Sequence, residues 1–133
     1  TEWWSLAAKR LAKGRLIAFD YGHGPVDWPA ANQPDGTVRG YRGQKRIDDI
    51  LADPGQQDIT AHANFGLAKQ VGEAAGLATE QFISQERFLN GAFVELLRSS
   101  PALGQAIDVR QLQTLTHPAH MGQPFRVLVQ SRD

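Results

Sequence analysis

The chain has no cysteine, which excludes disulfides, thiolate nucleophiles and cysteine-ligated metals and fits a reducing compartment. Long apolar runs are missing too: the longest is about four residues, against the ~20 that a membrane-spanning helix needs. Net charge is also absent, with 14 Lys+Arg against 14 Asp+Glu. That balance argues against a general grip on nucleic acid or anionic lipid and leaves room only for a local basic patch. Neither nucleic acid nor membrane is therefore expected as a partner. No charged-then-apolar leader opens the chain, so no secretory signal is expected. The opening Thr1 in place of Met points to processing, trimming or an excised piece. No G-x-S-x-G turn occurs, which leaves a hydrolase without an obvious nucleophile. The four histidines are dispersed, with no H-x-x-x-H pair, so no metal site is expected.

What is present reads as one compact α/β domain. A chain of 133 residues can bury roughly two-thirds of its unfolded surface without staples. Trp3, Leu6, Ala7 and Leu11 recur at helical spacing, and Gly14 supplies a stop. Leu16-Ile17-Ala18-Phe19 follows as a short continuous apolar run, the signature of a strand buried on both faces. It is expected to break in Asp20-Tyr21-Gly22-His23-Gly24-Pro25. A long loop should follow to about Ala63, with a short strand over 36–42 and a turn at Asp53-Pro54-Gly55. Residues 65–75 predict a helix between an Asn64 cap and Gly76, and 77–84 a strand. Phe88, Leu89, Ala92, Phe93, Leu96 and Leu97 form the clearest helical stripe. After Ser100-Pro101, Leu103, Ile107, Leu112 and Leu115 predict a further helix ending near Pro118, and 125–130 a closing strand. Three confident strands are few for an open α/β sheet, so the buried strand is expected to have once lain beside more sheet.

Several of these residues, taken in order, carry a resemblance. The run from Gly14 to Gly22, Gly36-Thr37, Tyr41-Arg42, Asp53-Pro54-Gly55 and Asp58-Ile59-Thr60-Ala61-His62 begin it. Phe65, Gln85 with Phe88-Leu89, Met121-Gly122 and Phe125-Arg126-Val127-Leu128 continue it. Together they resemble the C-terminal part of the MidA-like S-adenosylmethionine-dependent methyltransferases, from about Trp3 to Ser131. That family includes the arginine methyltransferase of mitochondrial complex I assembly. The resemblance implies a class I Rossmann-like methyltransferase sheet with inserted helices and a long loop. Residues 16–19 would be its fifth strand, 77–84 its sixth and 125–130 its antiparallel last strand. It also implies S-adenosylmethionine as cofactor, bound mainly by an N-terminal half that this chain lacks, since no glycine-rich strand-to-helix loop occurs here. The expected partners are that missing half and a protein substrate, with an oligomer possible. The expected location is bacterial cytoplasm, or the mitochondrial matrix in a eukaryote. Two positions depart from the family pattern: Gln44 stands where histidine is usual, and Asn64 where aspartate is.

Methyl transfer needs an aligned nucleophile, exclusion of water and a place for a proton. Asp20, at the C-terminal end of the buried strand, lies where α/β sheets bind ligands. It either touches substrate or cofactor or ties the following loop through backbone N–H groups. His62, just before a helix, suits proton handling at neutral pH or serves as a hydrogen-bonded brace. Asp20 and His62 are the catalytic candidates. Tyr21, His23, Asp58 and Gln85 are the substrate-binding candidates, with packing, local anchoring and solvent exposure as the competing readings. Arg39, Arg42, Lys45 and Arg46 form a basic cluster that reads first as a solvated face. Trp3-Trp4 reads as core plus surface cover. A non-catalytic assembly or binding protein on the same fold is the rival function.

Overall fold

Two sheets organise the chain in the computed structural model, which describes residues 2–24 and 36–133. Pro25, with which the expected strand-breaking run closes, lies outside the described residues. Helix α1 (Glu2–Arg10) leads into β1 (Gly14–His23). A small sheet follows from β2 (Arg39–Arg42), β3 (Lys45–Ile47) and β4 (Asp58–Thr60). Next come β5 (Ala63–Asn64), α2 (Phe65–Ala74), β6 (Ala78–Ser84) and α3 (Gln85–Ser99). The chain closes with α4 (Pro101–Gln105), α5 (Val109–Thr116), a π-helical turn (Pro118–Gly122) and β7 (Phe125–Arg132).

The main sheet has the order β5-β1-β7-β6. The last strand, β7, is antiparallel to both neighbours, β1 and β6, as the resemblance implies. This is a mixed α/β sheet, with α1 and α2 packed on one face and α3 on the other. Alternation along β1 decides what each face receives. Leu16 and Ala18 pack on a core of Trp4, Phe65 and Leu128, while Phe19 turns its ring to Phe88 of α3 at 5.2 Å.

Several local signals act as the sequence predicts. Asn64 caps α2, its side chain accepting the Leu67 N–H at 2.9 Å, and Gly76 ends the turn after α2 at φ +88°. Trp4 is core and Trp3 covers it edge-on at 5.2 Å, 64% exposed. Other expectations need correction. The first strand is not confined to 16–19 but runs from Gly14 to His23. Gly22 continues it instead of breaking it, because its backbone pairs with Ala63 so closely that a Cβ would overlap the Ala63 carbonyl. Nor is this strand buried on both faces: Ile17 is 47% and Phe19 45% exposed. Among the described residues its outer edge pairs only at Gly22 and His23. The long loop hides the β3-β2-β4 sheet. The helix expected from Leu103 to Leu115 is two, because Asp108 accepts the Arg110 and Gln111 N–H groups and starts α5 afresh.

One side chain locks the layers. Gln130 of β7 is 0% exposed. Its Oε1 accepts from Trp4 Nε1 at 2.7 Å, and its Nε2 donates to the Lys69 carbonyl at 3.0 Å and to Thr79 Oγ1 at 2.9 Å. Gln130 thereby joins α1, α2, β6 and β7. Each partner left buried and unpaired would cost about 1–3 kcal/mol. Gln130→Ala is therefore expected to lose about 3 kcal/mol in urea unfolding, and a loss under 1 kcal/mol would refute the lock. Gly72 adds a second check, since a Cβ there would overlap the Gln130 amide. Alanine gains about 1 kcal/mol in helix propensity over glycine, yet Gly72→Ala should be net destabilising because it displaces the amide. A stabilised variant would show that the amide can move without cost.

Candidate functional site

The C-terminal end of β1 carries three of the expected site residues, Asp20, Tyr21 and His23. A fourth, His62, arrives from the turn between β4 and β5, where its N–H donates to Thr37 Oγ1 at 3.1 Å. That anchor and the β1–β5 pairing bring His62 Nδ1 to 2.6 Å from His23 Nε2, a distance that requires one nitrogen to carry the proton and the other to accept it. Tyr21 sets its ring edge-on to His62 at 5.5 Å and to Phe125 at 5.6 Å. The β1–β7 register explains the second contact, since Tyr21 stands opposite Phe125.

Tyr21, Gly22, His23 and His62 form one wall of an open cleft of about 280 Å³. Gln123, Pro124 and Arg126, at the start of β7, form the other. The histidine pair is electrostatically constrained. Burial lowers the His62 pKa, the neighbouring His23 and then Arg39 lower it further, and Asp20 opposes them. His62 is thus held in its neutral form around pH 7, able to accept a proton.

Asp20 itself is exposed, and its carboxylate accepts the Tyr21 N–H at 2.8 Å, the backbone-tying arrangement. Like Asp20, two other expected residues lie apart from the cleft lining. Asp58 is exposed on β4, opposite Tyr41 in the small sheet. Gln85 is 4% exposed, and its amide donates to the Leu115 carbonyl at 2.9 Å and the Met121 carbonyl at 3.4 Å. It therefore braces the π-helical turn that delivers Gln123 and Pro124. Sequence reasoning missed Gln123, Pro124 and Arg126 as lining residues. The only signal was that Phe125-Arg126 lay inside the matched motif, and adjacency in a motif does not show which way a strand faces.

The remaining features fall into place locally. Gln44, the departure from the family's histidine, occupies the β2–β3 hairpin turn at φ 67° and is exposed. Of the basic cluster, Arg42 pairs with Asp53 and Arg39 donates to the Val38 carbonyl. The His117 and His120 rings lie 4.6 Å apart, tilted at 50°, and His117 Nδ1 accepts the Ala119 N–H. Among the described residues no three His, Asp or Glu side chains gather to hold a metal ion, and no helix is long and apolar enough to cross a membrane.

The described residues do not fit a complete site for S-adenosylmethionine. No described helix opens on Gly22-His23-Gly24, so the strand–glycine-loop–helix turn that presents backbone N–H groups to such a cofactor is not formed by them. A second groove of about 290 Å³ runs along the edge of β1 that is largely unpaired among the described residues, between Trp3 and Trp4 of α1 and Phe65 and Ala68 of α2.

Comparison with known proteins agrees with this geometry. Residues 1–83 match a family described as "Putative S-adenosyl-L-methionine-dependent methyltransferase". The chain is 31% identical over 121 residues to the mitochondrial protein arginine methyltransferase NDUFAF7 of Xenopus laevis, covering 85% of this chain and 25% of that protein. It is 30% identical over 131 residues to the Drosophila melanogaster homolog, covering 92% of this chain and 28% of that protein. It therefore spans about a quarter of the length of these curated relatives. A Burkholderia thailandensis crystal structure, described as a "likely methyl transferase" and bound to S-adenosyl-homocysteine, superposes with a TM-score of 0.80 at 28% identity. That match covers 98% of this chain and 35% of the other. A mixed sheet with an antiparallel last strand, a cleft at its C-terminal edge and these matches place the chain in one family: it belongs to the S-adenosyl-L-methionine-dependent methyltransferases.

Proposed function

We propose that this chain forms the acceptor-side wall of a methyltransferase that methylates a protein arginine, with His62 taking the proton released as the acceptor nitrogen gains its methyl group. The observation that carries the reading is the His62–His23 hydrogen bond of 2.6 Å at the sheet's C-terminal edge. If His62 Nδ1–H donates to His23 Nε2, the lone pair of His62 Nε2 is left facing the acceptor. His23 orients the ring, Tyr21 walls it from solvent, and Asp20 holds the end of β1 by accepting the Tyr21 N–H. In this reading Gln85 acts through the π-helical turn, and Asp58 contacts substrate outside the cleft. The arginine acceptor rests on the names of the Xenopus and Drosophila relatives.

The donor falls to residues beyond this chain, because the described ones form no loop for it. The open edge of β1 and its flanking groove suit docking of the N-terminal half of the same protein. The mitochondrial names of the relatives favour the matrix in a eukaryotic source, and bacterial cytoplasm otherwise. A second reading, a binding scaffold without turnover, is favoured by one feature: among the described residues no carboxylate pair lines the cleft to grip a guanidinium.

In the complete protein, His62→Ala should lower kcat roughly 100-fold in a methyl-transfer assay. Unchanged turnover would remove His62 from the chemistry, and no turnover in the parent protein would favour the scaffold. The rate should also fall as pH drops, with its acid limb below the ordinary histidine value of about 6.5, because protonated His62 cannot accept. His23→Ala removes a group that lowers the His62 pKa, so the limb should move to higher pH; movement the other way would refute the coupling.

A further inference from the structure

Hydrogen-bond partners around the cleft are unevenly distributed. Of the carboxylates near it, Asp20 accepts the Tyr21 N–H and Glu86 of α3 accepts from Gln123 Nε2 at 2.6 Å. Arg126 on the opposite wall is half-buried and makes no hydrogen bond or ion pair among the described residues, although Asp20 faces it across the β1–β7 pairing. A guanidinium carries five N–H donors and no acceptor. One that lines a cleft without a protein partner matches a planar anion that it can hold through two parallel bonds.

We propose that Arg126 forms a carboxylate-binding subsite in this cleft, with the His62 imidazole on the facing wall close enough to sense the bound charge. Tyr21 and Pro124 provide apolar walls for the short stem that carries such a carboxylate. The inference rests on the proposed methyl-transfer reading only for its biological sense. An acceptor arginine beside an acidic residue brings its own counter-ion past Arg126, whereas a bare guanidinium would meet like charge. The same carboxylate chemistry could come from an acidic side chain of a protein acceptor or from a free carboxylic acid.

The charged groups that face His62 set the sign of a direct test. Arg39 from β2 and the His23 ring disfavour its protonated form, Asp20 from β1 favours it, and Glu86 stands beyond Gln123. A carboxylate bound at Arg126 adds negative charge near His62, so it must raise the His62 pKa and must itself bind more tightly as pH falls. The measurement is an NMR pH titration of the histidine imidazoles without methyl donor, in the presence of acetate, a short C-terminally amidated Arg-Glu peptide or its equally amidated Arg-Gln counterpart, which carries no carboxylate and should leave the titration unmoved. Acetate and the Arg-Glu peptide should each move the His62 titration upward, and Arg126→Gln should weaken both by about tenfold. Arg126→Lys, which keeps the charge but loses the fork, should retain the upward shift at lower affinity.

Binding of the Arg-Glu peptide at least about tenfold tighter than acetate would identify a protein acidic side chain as the occupant. Equal affinities would identify a free carboxylate. No shift with any probe in the parent protein, or equal affinity in Arg126→Gln, would overturn the subsite, and the parent result does not depend on any variant folding. The donor-free readout separates the two proposals. Carboxylate binding without methyl transfer defeats the function and leaves the subsite; methyl transfer without carboxylate binding does the reverse.

Discussion

The architecture hangs on a buried amide. Gln130 lies in the C-terminal half of β7 with no exposed surface and satisfies the Trp4 indole, the Lys69 carbonyl and the Thr79 hydroxyl at once. In a low-dielectric interior such a node is strongly directional, because any rearrangement strands several polar groups without water. The apolar contacts of Trp4, Phe65 and Leu128 contribute more free energy in sum. They would tolerate small slips, however, and the amide would not. It fixes α1 and α2 against the sheet and β6 against β7, which leaves β1 one register on the far side of β7.

That register is what turns a sheet end into a cleft. With Ala18 opposite Leu128 and Phe19 opposite Val127, Tyr21 must stand opposite Phe125 and Asp20 opposite Arg126. A slip of one residue would send Tyr21 and His23 to the other face. The tight approach of Gly22 to Ala63 then carries the chain bearing His62 against the end of β1. Thr37, beside the small sheet, holds the His62 backbone. The site is assembled from three separated stretches of chain, each positioned by backbone pairing more than by side-chain packing.

The cleft's chemistry follows from an imbalance. Two imidazoles share one short hydrogen bond in a half-buried place, where burial and nearby positive charge both resist a second proton. The carboxylates around them already have donors, while the Arg126 guanidinium has no acceptor among the described residues. A site of this kind takes up a proton reluctantly and an anion readily. Those are complementary properties for handling an acceptor whose reacting nitrogen must shed a proton.

Local patterns were legible where chain neighbours alone decide the outcome. Asn64 before an apolar-periodic stretch, Gly76 after it, the stripe through Phe88 and Phe93 and the apolar run of β7 act within a turn or two of themselves. The ordered motifs also sufficed to indicate the family, and Tyr21, His23 and His62 could be named as candidates from position alone. Distance in the chain hid the rest. The length of β1 depends on Ala63, the β3-β2-β4 sheet on pairings across a loop, and the brace made by Gln85 on carbonyls of residues 115 and 121. Sequence by itself therefore determined the elements that carry their own caps and periodicity, α2, α3 and β7 among them, because those signals are short-range. Tertiary structure alone decided that His23 meets His62 and that Arg126 finds no partner among the described residues, because a hydrogen bond between residues 39 apart exists only once two strands have paired.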